Sequence, residues 1–311
     1  MASVLSDPRF HNEDAAYAYV EARLWPEGPT CPHCGNFDQK RIGRLQGKTT
    51  RIGLRKCYEC KKPFTVKVGT IFEDSHAPMH LWLQAIHMMV SSKKGISTRQ
   101  LQRTLGVGMK TAWFMGMRIR EAMKDGGMSP LGGDGATIEI DETYVGGKAH
   151  NRHQHQRGRG RGRDIPKAPV FALVERGGAV RAFHVPAVTG ANLAAVVDKN
   201  IKRGSLIYSD ENHTTRHAAS AFRSERVNHK DGEYVRGVVH TNTIEGFFSI
   251  LKRGITGVYH NVSEAHLQRY LAEFGFRYSN RSALGIEDVE RSELAIVGAK
   301  GKRLTYETAR G

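Results

Sequence analysis

The feature that most constrains this chain is a repeated cysteine pair. Cys31 and Cys34 are two residues apart, Cys57 and Cys60 likewise, and 22 residues lie between the pairs. Two such knuckles deliver four thiolates to a tetrahedral ion with Zn–S distances of about 2.3 Å, and sites of this kind are closed and structural. Pro32 and Gly35 supply the turn chemistry that a knuckle needs. No βαβ pattern surrounds either pair, which argues against a redox motif, and four cysteines in 311 residues are too few for a disulfide scaffold. The spacing therefore predicts one Zn2+ held by Cys31, Cys34, Cys57 and Cys60 in a zinc ribbon spanning 28–75, with His33 exposed beside it.

Charge points to the partner. Forty-seven Lys and Arg against 31 Asp and Glu leave a net charge of +16. An excess of this size favours a polyanion, because neutralised phosphates release condensed counterions. With 39 % apolar residues the chain can bury ordinary cores, which excludes global disorder. No run approaches the roughly 20 apolar residues of a membrane span. Residues 1–30 carry acids and prolines where a signal peptide needs an apolar stretch, so a cytoplasmic location without a membrane partner is expected.

Periodicity divides the chain. Asn12 followed by Ala15, Ala16, Tyr17, Val20 and Leu24 predicts a short packing helix in an N-terminal segment, 1–27. A helical segment is expected over 76–124. One helix runs from Pro78 to Lys93, and Ser97 with Gln100 forms a capping box for the next. Gly106-Val107-Gly108 separates that helix from another over 109–123. Two helices joined by such a turn fit a DNA-binding helix-turn-helix, in which Met109, Lys110 and Thr111 face bases while Arg118 and Arg120 reach phosphates. The competing expectation is a plain helical hairpin cored by Leu101, Leu105, Ala112 and Met115.

After a glycine-rich linker, 125–136, the pattern changes. Strands are expected at 137–145, 169–175, 179–185 and 205–209, a weak one at 226–229, and helices at 191–202, 216–224, 243–252 and 263–278. This predicts an α/β domain over 137–285, a mixed sheet flanked by helices, followed by a tail, 286–311. Between the first two strands lies a basic insert, 148–167, whose Arg157, Arg159, Arg161 and Arg163 alternate with glycine. It cannot bury a core, and it is expected to touch the DNA backbone without reading sequence.

Three carboxylates suit phosphodiester chemistry. Asp141 lies on the first strand of the second half, Asp210 just past the strand 205–209, and Glu245 on a later helix. Two divalent ions about 3.5–4 Å apart need such a cluster of hard oxygen ligands, and neighbouring strand ends plus a crossing helix can supply it. Strand alternation turns Glu142 away from Asp141 and puts Glu139 on the same face, deeper in the strand, as the main rival. Glu211 is a possible helper or cap. Asn242 and Glu245 also fit a capping box, a purely structural device. Lys252, seven residues and about two turns beyond Glu245, lines the same groove and can hold a phosphate.

The order of zinc ribbon, helical segment, 138–148 (IEIDETYVGGK), 207–213 (IYSDENH) and 240–254 (HTNTIEGFFSILKRG) resembles bacterial insertion-sequence transposases of the ISXO2-like type, with an N-terminal zinc ribbon and a DDE catalytic domain. The continuation 258–281 is similar too, and the resemblance spans roughly residues 20–285. It implies an RNase H-like fold, with Asp141, Asp210 and Glu245 as the triad for two Mg2+ (or Mn2+) ions and Lys252 on the basic position after the last acid. The implied reaction is metal-dependent cleavage at the ends of a mobile element, then attack of the freed 3′-hydroxyl on target DNA, with no covalent enzyme intermediate. Double-stranded DNA, as element ends and target, is the implied partner, and a homo-oligomer assembled on DNA is expected. His229, His240 and Asn242 lie close to the acid helix in sequence and are assigned structural duties ahead of catalytic ones. A DNA-binding regulator derived from a transposase and a nuclease without strand transfer are the rival classes. The Arg-Gly insert lies outside the family pattern. Deleting 148–167 should therefore lower the slope of log affinity against log salt for arbitrary duplex DNA, and an unaltered slope would show that the insert does not meet phosphates.

Overall fold

The computed structural model describes residues 3–124, 129–146 and 167–305. The arginines of the basic insert, Arg157, Arg159, Arg161 and Arg163, lie outside the described residues. The chain divides into two compact units, Met1–Lys124 with Ile286–Gly311, and Asp125–Gly285. Among the described residues no helix is long and apolar enough to cross a membrane.

In the first unit, helix α1 (Glu13–Leu24) starts where the Asn12 side chain accepts from the Ala15 amide, and it buries Ala16, Tyr17, Val20 and Leu24. Strands β1 (Ile42–Arg44), β2 (Arg55–Cys57) and β3 (Pro63–Phe64) form a small antiparallel sheet. Helices α2 (Met79–Ser91), α3 (Thr98–Leu105) and α4 (Met109–Ala122) follow. Helix α3 opens on the Ser97 side chain, which accepts from the Gln100 amide, and closes on Gly106 at φ 65°. Left-handed backbone of that kind is what glycine supplies at a helix end.

Lys110 and Thr111 are exposed on the first turn of α4, as a base-facing helix start requires. Arg118 and Arg120 are not available to phosphates. Each is only 3 % exposed, because the C-terminal half of α4 is buried on every side. Arg118 spends its guanidinium on the backbone carbonyls of Ile71, Glu73 and Leu304, and it stacks over the Phe114 ring at 4.3 Å. The Arg120 guanidinium passes 3.2 Å from the point where a Cβ on Gly116 would stand, so a glycine there leaves it room.

The second unit holds a five-stranded sheet built from β4 (Thr137–Val145), β5 (Ala168–Glu175), β6 (Val180–His184), β7 (Leu206–Ser209) and β8 (Arg223–Arg226). Their order across the sheet is β6-β5-β4-β7-β8. The first three strands pair antiparallel, while β7 runs parallel to both β4 and β8. Helices α5 (Gly190–Asn200) and α6 (His213–Ala218) precede and follow β7. A hairpin, β9 (Val235–Arg236) and β10 (Val239–His240), leads into α7 (Asn242–Gly254) and α8 (Glu264–Ser279). Strand β5, between β6 and the central β4, feeds two cores by alternation. Phe171 and Leu173 join Ile138, Ile140, Leu193 and Val197 on the α5 side. Val170, Ala172 and Val174 join Phe247, Leu251, Leu271 and Phe274 on the side of α7 and α8. This is the mixed, helix-flanked RNase H-like sheet that the motif order implies.

Two expectations shift. The helix expected at 216–224 sits at His213–Ala218, because the Asn212 side chain caps Thr214 and starts it early, and the strand after it moves to Arg223–Arg226. The expected tail contains a helix, α9 (Asp288–Val297), that buries Ala295 and Ile296 within the first unit, where Arg291 donates to the Val90 carbonyl. Arg118→Met should cost about 2–4 kcal/mol of unfolding free energy, because three carbonyls lose a charged donor. Its DNA salt slope should equal that of the wild type; full stability with a reduced slope would return Arg118 to the phosphate backbone.

Candidate functional site

Two sites stand out, one in each unit. In the first, the Sγ atoms of Cys31 and Cys60 are 3.6 Å apart, and those of Cys34 and Cys57 are 3.7 Å apart. All four lie within 4.8 Å of one another, the one group of metal-type donors among the described residues that closes this far. A tetrahedron with 2.3 Å arms has edges of about 3.8 Å, so the cluster fits structural zinc without rearrangement. The backbone N–H of Cys60 and then that of Glu59 help hold the Cys57 thiol down to about 6, and the Asn36 amide also donates to its sulfur.

In the second unit the acids gather where the central strand β4 runs past the end of β7. The parallel register pairs Glu139 with Tyr208; carried two residues further along the chains, it brings Asp141, in the middle of β4, level with Asp210, just past the end of β7. Asp141, Glu142, Thr143, Glu245, Phe248, Ser249 and Lys252 line an open pocket of about 360 Å³. Glu245, Ser249 and Lys252 come from one side of α7, flanked by the apolar stripe Ile244, Phe247, Phe248 and Leu251 that α7 buries, whose Phe248 also reaches the pocket. Asp210 is steered by the Asn212 amide and the Thr215 hydroxyl, each donating to its Oδ1 at 3.1 Å. The Asp141 carboxyl is pushed up to about 8, first by burial and then by the charges of Asp210, Glu142 and Glu245, against one N–H bond from the Glu142 backbone.

Glu142 joins this cluster although alternation turns it away. Pairing of β4 with β7 ends at Glu139, and the chain beyond Asp210 rounds the strand end, so Asn212 donates to one oxygen of Glu142. Its other oxygen is buried without a hydrogen-bond partner among the described residues. Burial and then the Asp210 charge raise this carboxyl above its ordinary range. Crowded, partly orphaned carboxylate oxygens are the donor set that a hard divalent cation satisfies. Alternation alone could not reveal Glu142; the Asn212 capping signal, which fixes where the chain turns after Asp210, was the available clue.

Glu139, the expected rival ligand, is fully buried with a different task. Its carboxylate accepts from the amides of Thr243 and Ile244 at 2.9 Å, from the Thr243 hydroxyl at 2.8 Å and from Arg176 Nε at 2.7 Å. It is the N-terminal cap of α7. The sequence signal had given that task to Asn242 with Glu245, but Asn242 is already the first helical residue, and the flanking Thr241 instead donates its hydroxyl to Glu245 at 3.1 Å. His240 faces Arg176 and Glu139 through its ring Nδ1. His229 has its backbone N–H on Glu211 and its ring Nε2 4.0 Å from Glu245.

A mixed sheet of this order with acids clustered at its central strand, in a chain that also carries a four-cysteine ribbon, is the architecture of a zinc-ribbon transposase. Residues 130–279 match the ISXO2-like transposase domain and residues 11–63 the transposase zinc-ribbon domain. An uncharacterized protein in transposable element ISH50 of Halobacterium salinarum is 32 % identical over 280 residues, which cover 86 % of this chain and 91 % of that protein. The chain belongs to the ISXO2-like transposase family.

Two outcomes follow. Purified protein should hold about one zinc per chain, and Cys57→Ser/Cys60→Ser should hold essentially none by metal analysis; unchanged zinc in that variant would place the ion elsewhere. The raised Asp141 carboxyl also has a signed pH effect. Protonated in both states below its unfolded value of 3.8, it contributes fully there, and that contribution is lost as pH rises towards about 8. With zinc bound but no other divalent ion, wild-type Tm should therefore fall more than that of Asp141→Asn between about pH 5 and pH 8, and Mg2+ should restore more of it at the alkaline end. Parallel Tm profiles for the two proteins would remove Asp141 from the acidic cluster.

Proposed function

We propose that this chain is a DNA transposase that cuts the ends of its element and joins the freed 3′-hydroxyl to target DNA in one acidic pocket. The observation that carries it is convergence: Asp141 and Glu142 from the middle of β4 and Glu245 from α7 line one pocket with Lys252, and the charges of Asp210, Glu142 and Glu245 all act on Asp141. Asp141, Asp210 and Glu245 would hold the divalent ions, with Glu142 beside them. Bound Mg2+ or Mn2+ supplies activation of the attacking oxygen and charge relief at the leaving one.

The remaining tasks belong to the protein. Lys252 meets a phosphate oxygen as a point charge on the pocket wall. Thr215 and Asn212 fix the Asp210 carboxylate, so it needs no reorganisation when substrate arrives. Glu139, by capping α7, sets where Glu245 and Lys252 stand. Lys110 and Thr111, exposed at the start of α4, are the base-facing candidates, and the insert arginines add affinity that ignores sequence. Two element ends must be held together for joining, which calls for a homo-oligomer on DNA.

Asp141→Ala, Asp210→Ala and Glu245→Ala should each abolish end cleavage and strand transfer while leaving DNA affinity near wild type, because Lys and Arg dominate binding to the backbone. Glu245→Gln removes the charge but keeps an oxygen for the Thr241 hydroxyl, so it separates chemistry from helix stability. A Glu245→Gln protein that folds and joins element ends at the wild-type rate would refute the triad. Cleavage without joining in the wild type would identify a nuclease, and binding without either a regulator.

A further inference from the structure

The loop between β8 and the hairpin presents an aromatic pair whose role the acids do not explain. The rings of His229 and Tyr234 are stacked, with centroids 5.0 Å apart and planes inclined by 26°. The inner ring belongs to His229, whose Nε2 lies 4.0 Å from Glu245. Tyr234 is 61 % exposed, so it contributes little to any core. The loop is nonetheless firmly built. Asn228 accepts at its carbonyl from the Asp231 and Glu233 amides, its own amide donates to the Glu233 carboxylate, and the His229 amide donates to Glu211. Gly232 makes the turn at φ 78°. Arg176 then ties the adjoining hairpin to the sheet through the carbonyls of Val238 and His240.

An exposed aromatic face on a braced loop beside an acidic pocket, with Arg226, Lys230 and Arg236 exposed around it, suits one ligand class. A nucleobase offers a π-face to the ring and a phosphate to the cations, and stacking of this kind tolerates any base. Relying on the function proposed above, we propose that Tyr234, backed by His229, is a stacking platform for an unpaired nucleobase of the strand whose phosphate enters the pocket. Tyr234 is thus a binding residue. It would keep a frayed or freshly cut end from re-pairing and hold it at a fixed distance from Glu245.

The test is equilibrium binding by the full, zinc-loaded chain without added Mg2+, so that no chemistry intervenes. The probes are duplexes carrying the element end, read from the inverted repeat flanking the gene, either blunt or with a short single-stranded flank. The flank is also made abasic, which keeps its phosphates and removes its bases. Wild type should prefer the flanked duplex over the blunt one by about tenfold, the size of one stacked base. Tyr234→Ala and the abasic flank should each remove that preference, and together remove no more than either alone. Tyr234→Phe and Tyr234→Trp should keep it. The platform is overturned if wild type shows no preference, if Tyr234→Ala retains it, or if the abasic flank binds as well as the normal one. A preference lost equally in Tyr234→Phe also overturns it, since a hydroxyl contact would then be responsible. Preference in a protein that neither cuts nor joins DNA supports the platform while refuting the proposed chemistry, so the two failures are distinguishable.

Discussion

The second unit depends on one buried carboxylate. Glu139 sits on a central strand with no exposed surface, and it is tolerated there because its oxygens are filled by two helix amides, a hydroxyl and a guanidinium. Removing one partner of such a pair typically costs about 3–5 kcal/mol, since the other charge is left buried. The same contacts fix the start of α7 against β4. Every polar side chain that α7 lends to the pocket inherits its position from that anchor, so a residue that touches no substrate sets the geometry of those that would.

The first unit uses the same device. Helix α2 has no side-chain cap of its own, and the Glu13 carboxylate accepts instead from the amides of Met79 and His80 across 66 and 67 residues. In both units an acid on an earlier element closes a later helix, satisfying donors that would otherwise be orphaned and drawing on the positive end of the helix dipole. Capping rules that search the residues just before a helix cannot find these acids. They do find Asn12 and Ser97, where the cap is local.

That difference explains what the sequence disclosed. Local periodicity located β4, β5, α4, α7 and α8 nearly to the residue, and cysteine spacing located the ribbon, because each signal is written in adjacent residues. Alternation correctly placed Glu139 and Asp141 on one face, and helical spacing placed Glu245, Ser249 and Lys252 along one side. What escaped were properties of tertiary packing. Nothing local shows that α4 is enclosed at Arg118, that Glu142 meets Asn212 where pairing with β7 stops, or that 288–297 returns to the first unit.

The acidic pocket carries an energetic conflict that the rest of the unit must support. Four carboxylates share a partly buried site, and burial first, then repulsion from the neighbouring charges, favours keeping a proton on Asp141 rather than folding it ionised. A fold selected only for stability would replace one of them. Retaining them makes sense if the conflict is resolved by a cation at the moment of action, since a site that repels itself when empty binds divalent charge more strongly than one already neutralised. The Glu139 anchor supports this arrangement. It holds the start of α7 to the sheet through a fully paired charge, so the backbone that carries Glu245 keeps its place beside the pocket. Rigidity in one carboxylate thus keeps the others gathered.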